Sequence, residues 1–279
     1  MKPIDQAWVC HIEVTNVCGR GCVYCSRFDR HIRADQRTHM TLDQIEKALQ
    51  SLDGWPNQIG IMGGEPTLHP QFEEICHMLR RYNDKSKYGL WTAGGSRYDK
   101  YKHLIDDTFG FLAYNEHTEA QQTVCRHQAI TMGIDHVVPD EEYRGRLIDD
   151  CWVQKTWCPS IGAKGAFFCE VAYALDTILD GPGGYPVEPG WWKKAPAAFA
   201  DQVARYCGNC GMAIPLPQEV INTTKEKISR GNLELFRAHN LPRLSKNDVV
   251  VVDGEFTVKE LECNRGGWDP GNYRQDITG

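Results

Sequence analysis

The chain has 279 residues, 41% hydrophobic, 10% aromatic and 24% charged, a composition that excludes disorder and is long enough for a core without staples. Its formal charge of −6, with no run of basic residues, excludes a general nucleic-acid surface, and no apolar stretch reaches membrane-spanning length. Twelve cysteines, several at tight spacing, read in a cytoplasmic setting as metal ligands or redox groups rather than as disulfides.

Taken in order, short runs rich in β-branched and aromatic residues predict strands at Trp8 to Thr15, Gln58 to Met62, Tyr88 to Thr92, Phe109 to Tyr114 and His136 to Pro139. Between them, apolar spacing predicts helices at Thr41 to Leu52, Pro70 to Tyr82, Ser96 to Asp107, Glu119 to Thr131 and Glu141 to Val153. Thr41 and Gln44 form the capping-box pair of the first of these. Strand alternating with helix predicts a parallel α/β sheet, and the alternation stops near Asp150, short of the roughly 240 residues of a closed eight-unit barrel. The expected fold is a partial (β/α)5-6 TIM-like barrel over residues 1–150, with chemistry at the C-terminal strand ends.

From Cys151 the texture changes to Gly, Pro, Trp and Cys, which marks a smaller second region over 151–215. Helices are predicted at Ala197 to Tyr206 and Thr223 to His239. A hairpin about Asp253-Gly254 is predicted within Asp248 to Glu260, in an extension over 216–279.

Cys18-Gly19-Arg20-Gly21-Cys22-Val23-Tyr24-Cys25 follows the first strand directly, so three thiols share one strand-end loop. Glycines inside the loop let it curl around one inorganic core, and three ligands leave an open fourth position, the mark of a catalytic metal site. Zinc is the plain alternative, with His11 or His31 as a fourth ligand. Gly63-Gly64-Glu65-Pro66 ends the second predicted strand.

Together the C-x3-C-x2-C loop and the Gly-Gly-Glu-Pro element resemble the hallmark motifs of radical S-adenosylmethionine (SAM) enzymes. The resemblance implies a [4Fe-4S] cluster on Cys18, Cys22 and Cys25, with S-adenosyl-L-methionine chelating its open iron and Tyr24 as the motif's aromatic residue. Gly63, Gly64 and Glu65 would receive the SAM ammonium, with Pro66 completing the cofactor-binding element. Thr92, Asn115 and Val138 sit where the family places SAM ribose, carboxylate and adenine contacts, although strand-end hydrogen bonding and core packing are the plain readings of Thr92 and Val138.

Cys151, Cys158, Cys169 and Cys207-Gly208-Asn209-Cys210 follow the predicted barrel. Their order resembles the auxiliary-cluster region of family members with a twitch domain, related to the longer SPASM domain, and implies a second [4Fe-4S] cluster on Cys151, Cys169, Cys207 and Cys210. Cys158 competes with Cys151, and structural zinc competes with the cluster. The Cys151 to Cys169 separation is similar to that of the sugar-dehydrogenase branch. Glu116 and His117, after the fourth predicted strand, are the candidate catalytic or substrate-contacting groups. Glu13 is read as a buried acid near the cluster or as an arginine partner.

The resemblance implies an oxidoreductase or lyase-type enzyme acting on a small polar metabolite, with a reductant such as flavodoxin or ferredoxin. Peptide or nucleoside substrates, epimerisation, and a zinc-binding interaction module are the alternatives.

Overall fold

The structure is a computed structural model that describes residues 1–114, 128–156, 159–217, 220 and 224–265. Three βα repeats and a fourth strand open the chain: β1 (Val9–Thr15), α1 (Leu42–Ser51), β2 (Gln58–Gly63), α2 (Phe72–Tyr82), β3 (Tyr88–Thr92), α3 (Ser96–Thr108) and β4 (Phe111–Tyr114). The predicted strands and helices of this part stand within two or three residues. Thr41 caps α1 as read, its hydroxyl accepting from Gln44 N while the Gln44 side chain returns to Thr41 N.

After β4 the architecture departs from expectation. His136 to Pro139 is not a strand, because Ile134 to Val137 is a short helix, α4. Ile134, Val137 and Val138 are buried while Asp135 and His136 are exposed, which is helical i, i+3, i+4 spacing rather than alternation. The fifth parallel strand is instead β5 (Ser160–Gly162), after α5 (Glu141–Asp149) and α6 (Trp152–Thr156), and it pairs with β1 on the side opposite β2. A tight hairpin adds β6 (Gly165–Phe167) antiparallel to β5, so the six-stranded order is β4-β3-β2-β1-β5-β6. This mixed α/β sheet is consistent with a partial barrel, and β1 at its centre places the cysteine loop in the middle of the strand-end rim.

Cys169 then begins α7 (Glu170–Ile178), a helix the texture of Gly, Pro and Cys concealed. All nine of its residues are buried, so it carries no amphipathic stripe to read. Next comes α8 (Ala200–Tyr206), entered through a 3₁₀ turn at Pro196–Phe199.

The predicted C-terminal hairpin is also corrected. β7 (Glu226–Ser229) and β8 (Val249–Val252) pair in parallel across the intervening α9 (Arg230–Ala238), so the helix expected from Thr223 starts only after a strand. Asp253-Gly254 leads into α10 (Val258–Arg265) rather than a return strand. The missed signal is Thr257 with Glu260, whose reciprocal hydrogen bonds of 3.3 and 2.7 Å form a capping box. Among the described residues no helix is long and apolar enough to cross a membrane.

Strand alternation gives the sheet two faces. Cys10, Ile12 and Val14 of β1 join the main core under the helices, whereas Val9, His11 and Glu13 face the barrel interior. Gly60 and Gly89 leave room there for an indole: a Cβ at Gly60 would meet Trp91 Cζ3 at 2.7 Å, and one at Gly89 would meet it at 2.6 Å.

Candidate functional site

The loop after β1 is held at both shoulders. Asn16 donates to Gln36 O at 2.8 Å and accepts from Thr38 N at 2.7 Å, while Thr15 Oγ1 accepts from Val17 N at 3.0 Å. Positive φ at Gly21 (59°) and Tyr24 (55°) curls the chain between the thiols, and Gly21 N donates to the buried Asp29 carboxylate at 3.0 Å. Arg37 pairs with that carboxylate from the outside. Arg20, between the first two cysteines, donates to Ala93 O beyond β3 at 2.6 Å, tying the loop to a neighbouring strand end.

Cys18, Cys22 and Cys25 line one cavity of about 110 Å³ with Gly63 and Gly64 of the β2 end, Thr92 and Ala93 of the β3 end, and Arg27, Met62 and Trp91. The two sequence motifs therefore meet in space. Their approach depends on missing side chains: Gly64 N donates to Thr15 O at 2.7 Å and Glu65 N to Val17 O at 2.9 Å. Glu65 is buried, and its Oε1 accepts from Thr67 N, Thr67 Oγ1 and Thr92 Oγ1 at 3.2, 2.7 and 2.7 Å. Its Oε2 accepts from Ala93 N at 2.8 Å. Thr92 thus takes the strand-end hydrogen-bonding role, its hydroxyl also accepting from Gly94 N at 3.0 Å. Pro66 is buried and opens a 3₁₀ turn.

Beneath the cavity lies a charged cluster. Arg27 is buried, with Nε 3.0 Å from Glu13 Oε2 and Nη2 2.9 Å from Glu170 Oε2, and Nη2 also approaches Met62 Sδ at 2.7 Å. His11 Nδ1 lies 2.8 Å from the same Glu170 oxygen. Glu13 therefore has the arginine partner that one of its two readings anticipated.

Burial pushes the His11 imidazole down, toward its neutral form. Glu170 faces Arg27 and His11 together and is held down at about 2 against the cost of burial. Burial pushes Glu13 up to about 7, against the pull of the Arg27 guanidinium and of Ser160.

A raised carboxyl keeps a proton in the folded chain that the unfolded chain releases. Its contribution to stability is then full below about pH 4.5 and is lost as pH rises toward 7. Urea unfolding of the metal-free chain at stepped pH is expected to show this decline, and Glu13→Gln to flatten it. An unchanged slope in the variant would refute the assignment.

Both histidines that zinc would need at the first site are engaged elsewhere. His11 is on Glu170, and His31 Nε2 lies 2.6 Å from Glu226 Oε2 with Nδ1 3.1 Å from Pro242 O. Among the described residues no three Cys, His, Asp or Glu donors converge in single-ion geometry. Three thiols around a cavity with no carboxylate or imidazole lining it suit a larger inorganic core with one position left open. Burial raises the Cys18 thiol to about 12 and the Cys25 thiol as well, so the thiolate state there calls for a cationic core.

The second set also comes together. Cys151, after α5, Cys169, before α7, and Cys207 and Cys210, after α8, line one apolar pocket with Phe168, Leu175, Tyr206 and Met212. Burial and the neighbouring thiols raise Cys207 and Cys210 well above the ordinary cysteine range. Four thiols in such surroundings, with no three of them converging as a single zinc ion requires, suit a larger iron-sulfur core that would compensate the thiolate charge. Met212 N donates to Cys210 Sγ at 3.4 Å.

Two predicted cofactor contacts are placed elsewhere. Tyr24 turns away from the cavity: its ring is buried, its hydroxyl donates to Val220 O at 3.1 Å and accepts from Lys227 N at 2.8 Å, and its own N–H donates to Glu226 at 2.8 Å. The positive φ that curls the loop is what swings this side chain outward. Val138 follows α4 and is buried in the core rather than lying on a strand. Asn115, Glu116, His117 and Cys158 lie outside the described residues. Sequence reasoning missed Arg27 and Glu170, which are separated by 143 positions and meet only in the fold.

Against this geometry the comparisons are specific about one region. Residues 12–120 match the model of the Radical SAM superfamily. That span holds the cysteine loop and the Gly-Gly-Glu-Pro element. Over 84 residues the chain is 30% identical to the GTP 3',8-cyclases of Actinobacillus pleuropneumoniae serotype 5b (strain L20) and serotype 7 (strain AP76). The aligned part is 30% of this chain, which spans a quarter (25%) of the length of those relatives. Among solved structures, BtrN in complex with AdoMet and 2-DOIA superposes with a TM-score of 0.46 at 14% identity, covering 79% of this chain and 96% of that one. SeMet BtrN in an open conformation gives 0.43 at 13%, covering 73% and 86%.

Proposed function

We propose that this chain is a radical SAM enzyme that reductively cleaves S-adenosyl-L-methionine and abstracts a hydrogen atom from a small polar metabolite, sugar- or aminocyclitol-like. The observation that carries the reading is the meeting of Cys18, Cys22, Cys25, Gly63 and Gly64 on one cavity inside the region that matches the Radical SAM model. In this reading Cys18, Cys22 and Cys25 hold a [4Fe-4S] cluster, and Cys151, Cys169, Cys207 and Cys210 hold an auxiliary one in a twitch-like region. Held by Cys18, Cys22 and Cys25 and reduced by flavodoxin or ferredoxin, such a cluster would supply the electron for reductive cleavage of SAM.

The chain's own part is positioning and exclusion of water. Gly63 and Gly64 let the β2 end approach the cysteine loop and offer carbonyls to the SAM ammonium, with Glu65 bracing the β2 and β3 ends from behind. Trp91 and Met62 floor the cavity against solvent, and Arg27 holds that floor through its ion pairs with Glu13 and Glu170. Asn115, Glu116 and His117 follow β4 directly in sequence and stay assigned to SAM and substrate contact. Oxidation of an alcohol-derived radical to a carbonyl requires an acceptor for its remaining electron, so a second four-thiol site supports dehydrogenation over epimerisation.

The test is isotopic. The anaerobically iron-loaded chain, given SAM, dithionite and carbinol-deuterated sugars or aminocyclitols, is expected to carry deuterium into 5'-deoxyadenosine. Deuterium arriving from a labelled nucleoside instead would move the substrate class, and an iron-loaded chain that never forms 5'-deoxyadenosine would overturn the reading.

A further inference from the structure

We infer that Arg27 is a positioning residue that couples the two cysteine sites. The inference rests on the reading that both sites hold iron-sulfur clusters. Arg27 stands two residues after Cys25, and Glu170 directly follows Cys169. Their side chains meet at 2.9 Å, both buried, so one ion pair links the loop of the first site to the turn of the second. The pair is anchored rather than isolated. Glu13 of β1 holds the guanidinium from the sheet at 3.0 Å, and His11 of the same strand holds Glu170 at 2.8 Å.

A buried charge pair of this kind resists separation, because each partner left alone is an uncompensated charge in low dielectric. Removing Arg27 takes from Glu170 its one arginine partner among the described residues and leaves it facing His11, and that carboxylate adjoins a cysteine of the second site. Removing Glu170 leaves Arg27 with Glu13 as its one carboxylate partner among the described residues, beside the first site. Each site is therefore expected to register a change made next to the other, which a purely local packing role does not produce.

The cross-site experiment isolates this. In a chain with Cys18, Cys22 and Cys25 all changed to Ala, only the second cluster forms, and Arg27→Met is expected to lower its reduced-to-oxidised ratio at a fixed potential about tenfold, ~59 mV for one electron. Arg27→Lys, which keeps the charge, is expected to hold the change within about threefold. Arg37→Met removes another cation of the same loop, one that pairs with Asp29, and serves as the comparison. It is expected to leave the second cluster unmoved.

Conversely, in a chain lacking the four second-site cysteines, Glu170→Gln is expected to alter the electron paramagnetic resonance g-values of the first cluster with SAM bound. This near-isosteric change carries the test if Arg27→Met does not fold. Arg27→Met behaving like Arg37→Met, or g-values indifferent to Glu170→Gln, overturns the coupling. A parent chain that takes up no iron at one of the sites overturns the cluster reading instead.

Discussion

A chain carrying Cys18→Ala, Cys22→Ala and Cys25→Ala forms no 5'-deoxyadenosine from SAM under dithionite, and its iron falls from about eight to about four per chain after reconstitution. The argument is positional. The three thiols occupy one curled loop at the end of the central strand, and no other described Cys, His, Asp or Glu lines their cavity to replace them. Removal of Cys151, Cys169, Cys207 and Cys210 is expected to halve the iron equally, yet to leave SAM cleavage in place without productive turnover of substrate. Iron assay and chromatography of the nucleoside products read both results. A triple variant that still cleaves SAM, or a quadruple variant that cannot, would overturn the division of labour between the sites.

Much of this site was legible because its residues are close in sequence and its geometry follows from strand direction. A loop after one strand and a Gly-Gly-Glu-Pro end on the next must meet when the strands pair in parallel, and Val9 to Glu13 do pair in register with Gln58 to Met62. The same logic failed where neighbours in space are distant in sequence. His136 to Pro139 reads as a strand by its β-branched content, but Gly133 N donates to Ser229 Oγ at 3.1 Å and the following residues close a helix against the C-terminal segment. Tyr24 carries the aromatic place of the motif, yet a left-handed backbone turns it toward β7, a contact across roughly two hundred residues that no local pattern encodes. α7 was invisible for the opposite reason, since a helix buried on every side has no polar face to reveal its period. The charged floor needed both kinds of information, because Glu13 and His11 alternate visibly on β1 while Glu170 lies on the helix that was missed.

The second large effect is expected from one added methyl group. Gly63 ends β2 at φ 144°, a conformation L side chains rarely adopt, and a Cβ there would stand 1.9 Å from Thr15 O. That oxygen is not free to move, because it accepts from Gly64 N at 2.7 Å in the register that joins β1 to β2. Gly63→Ala therefore combines backbone strain with a collision against fixed backbone, and about 3–5 kcal/mol of lost stability is expected from the two together. Because the same contact sets the separation of the cysteine loop from the β2 end, SAM affinity is expected to fall more than tenfold in whatever fraction folds. Gly19 gives the control within the loop itself: it has ordinary backbone and nothing within 4 Å of an added Cβ, so Gly19→Ala is expected to change stability by less than about 0.5 kcal/mol. Anaerobic urea unfolding and equilibrium SAM binding measure the two variants side by side. If Gly63→Ala unfolds at the parent's midpoint and binds SAM as tightly, the close approach of the two strand ends is not what builds the site.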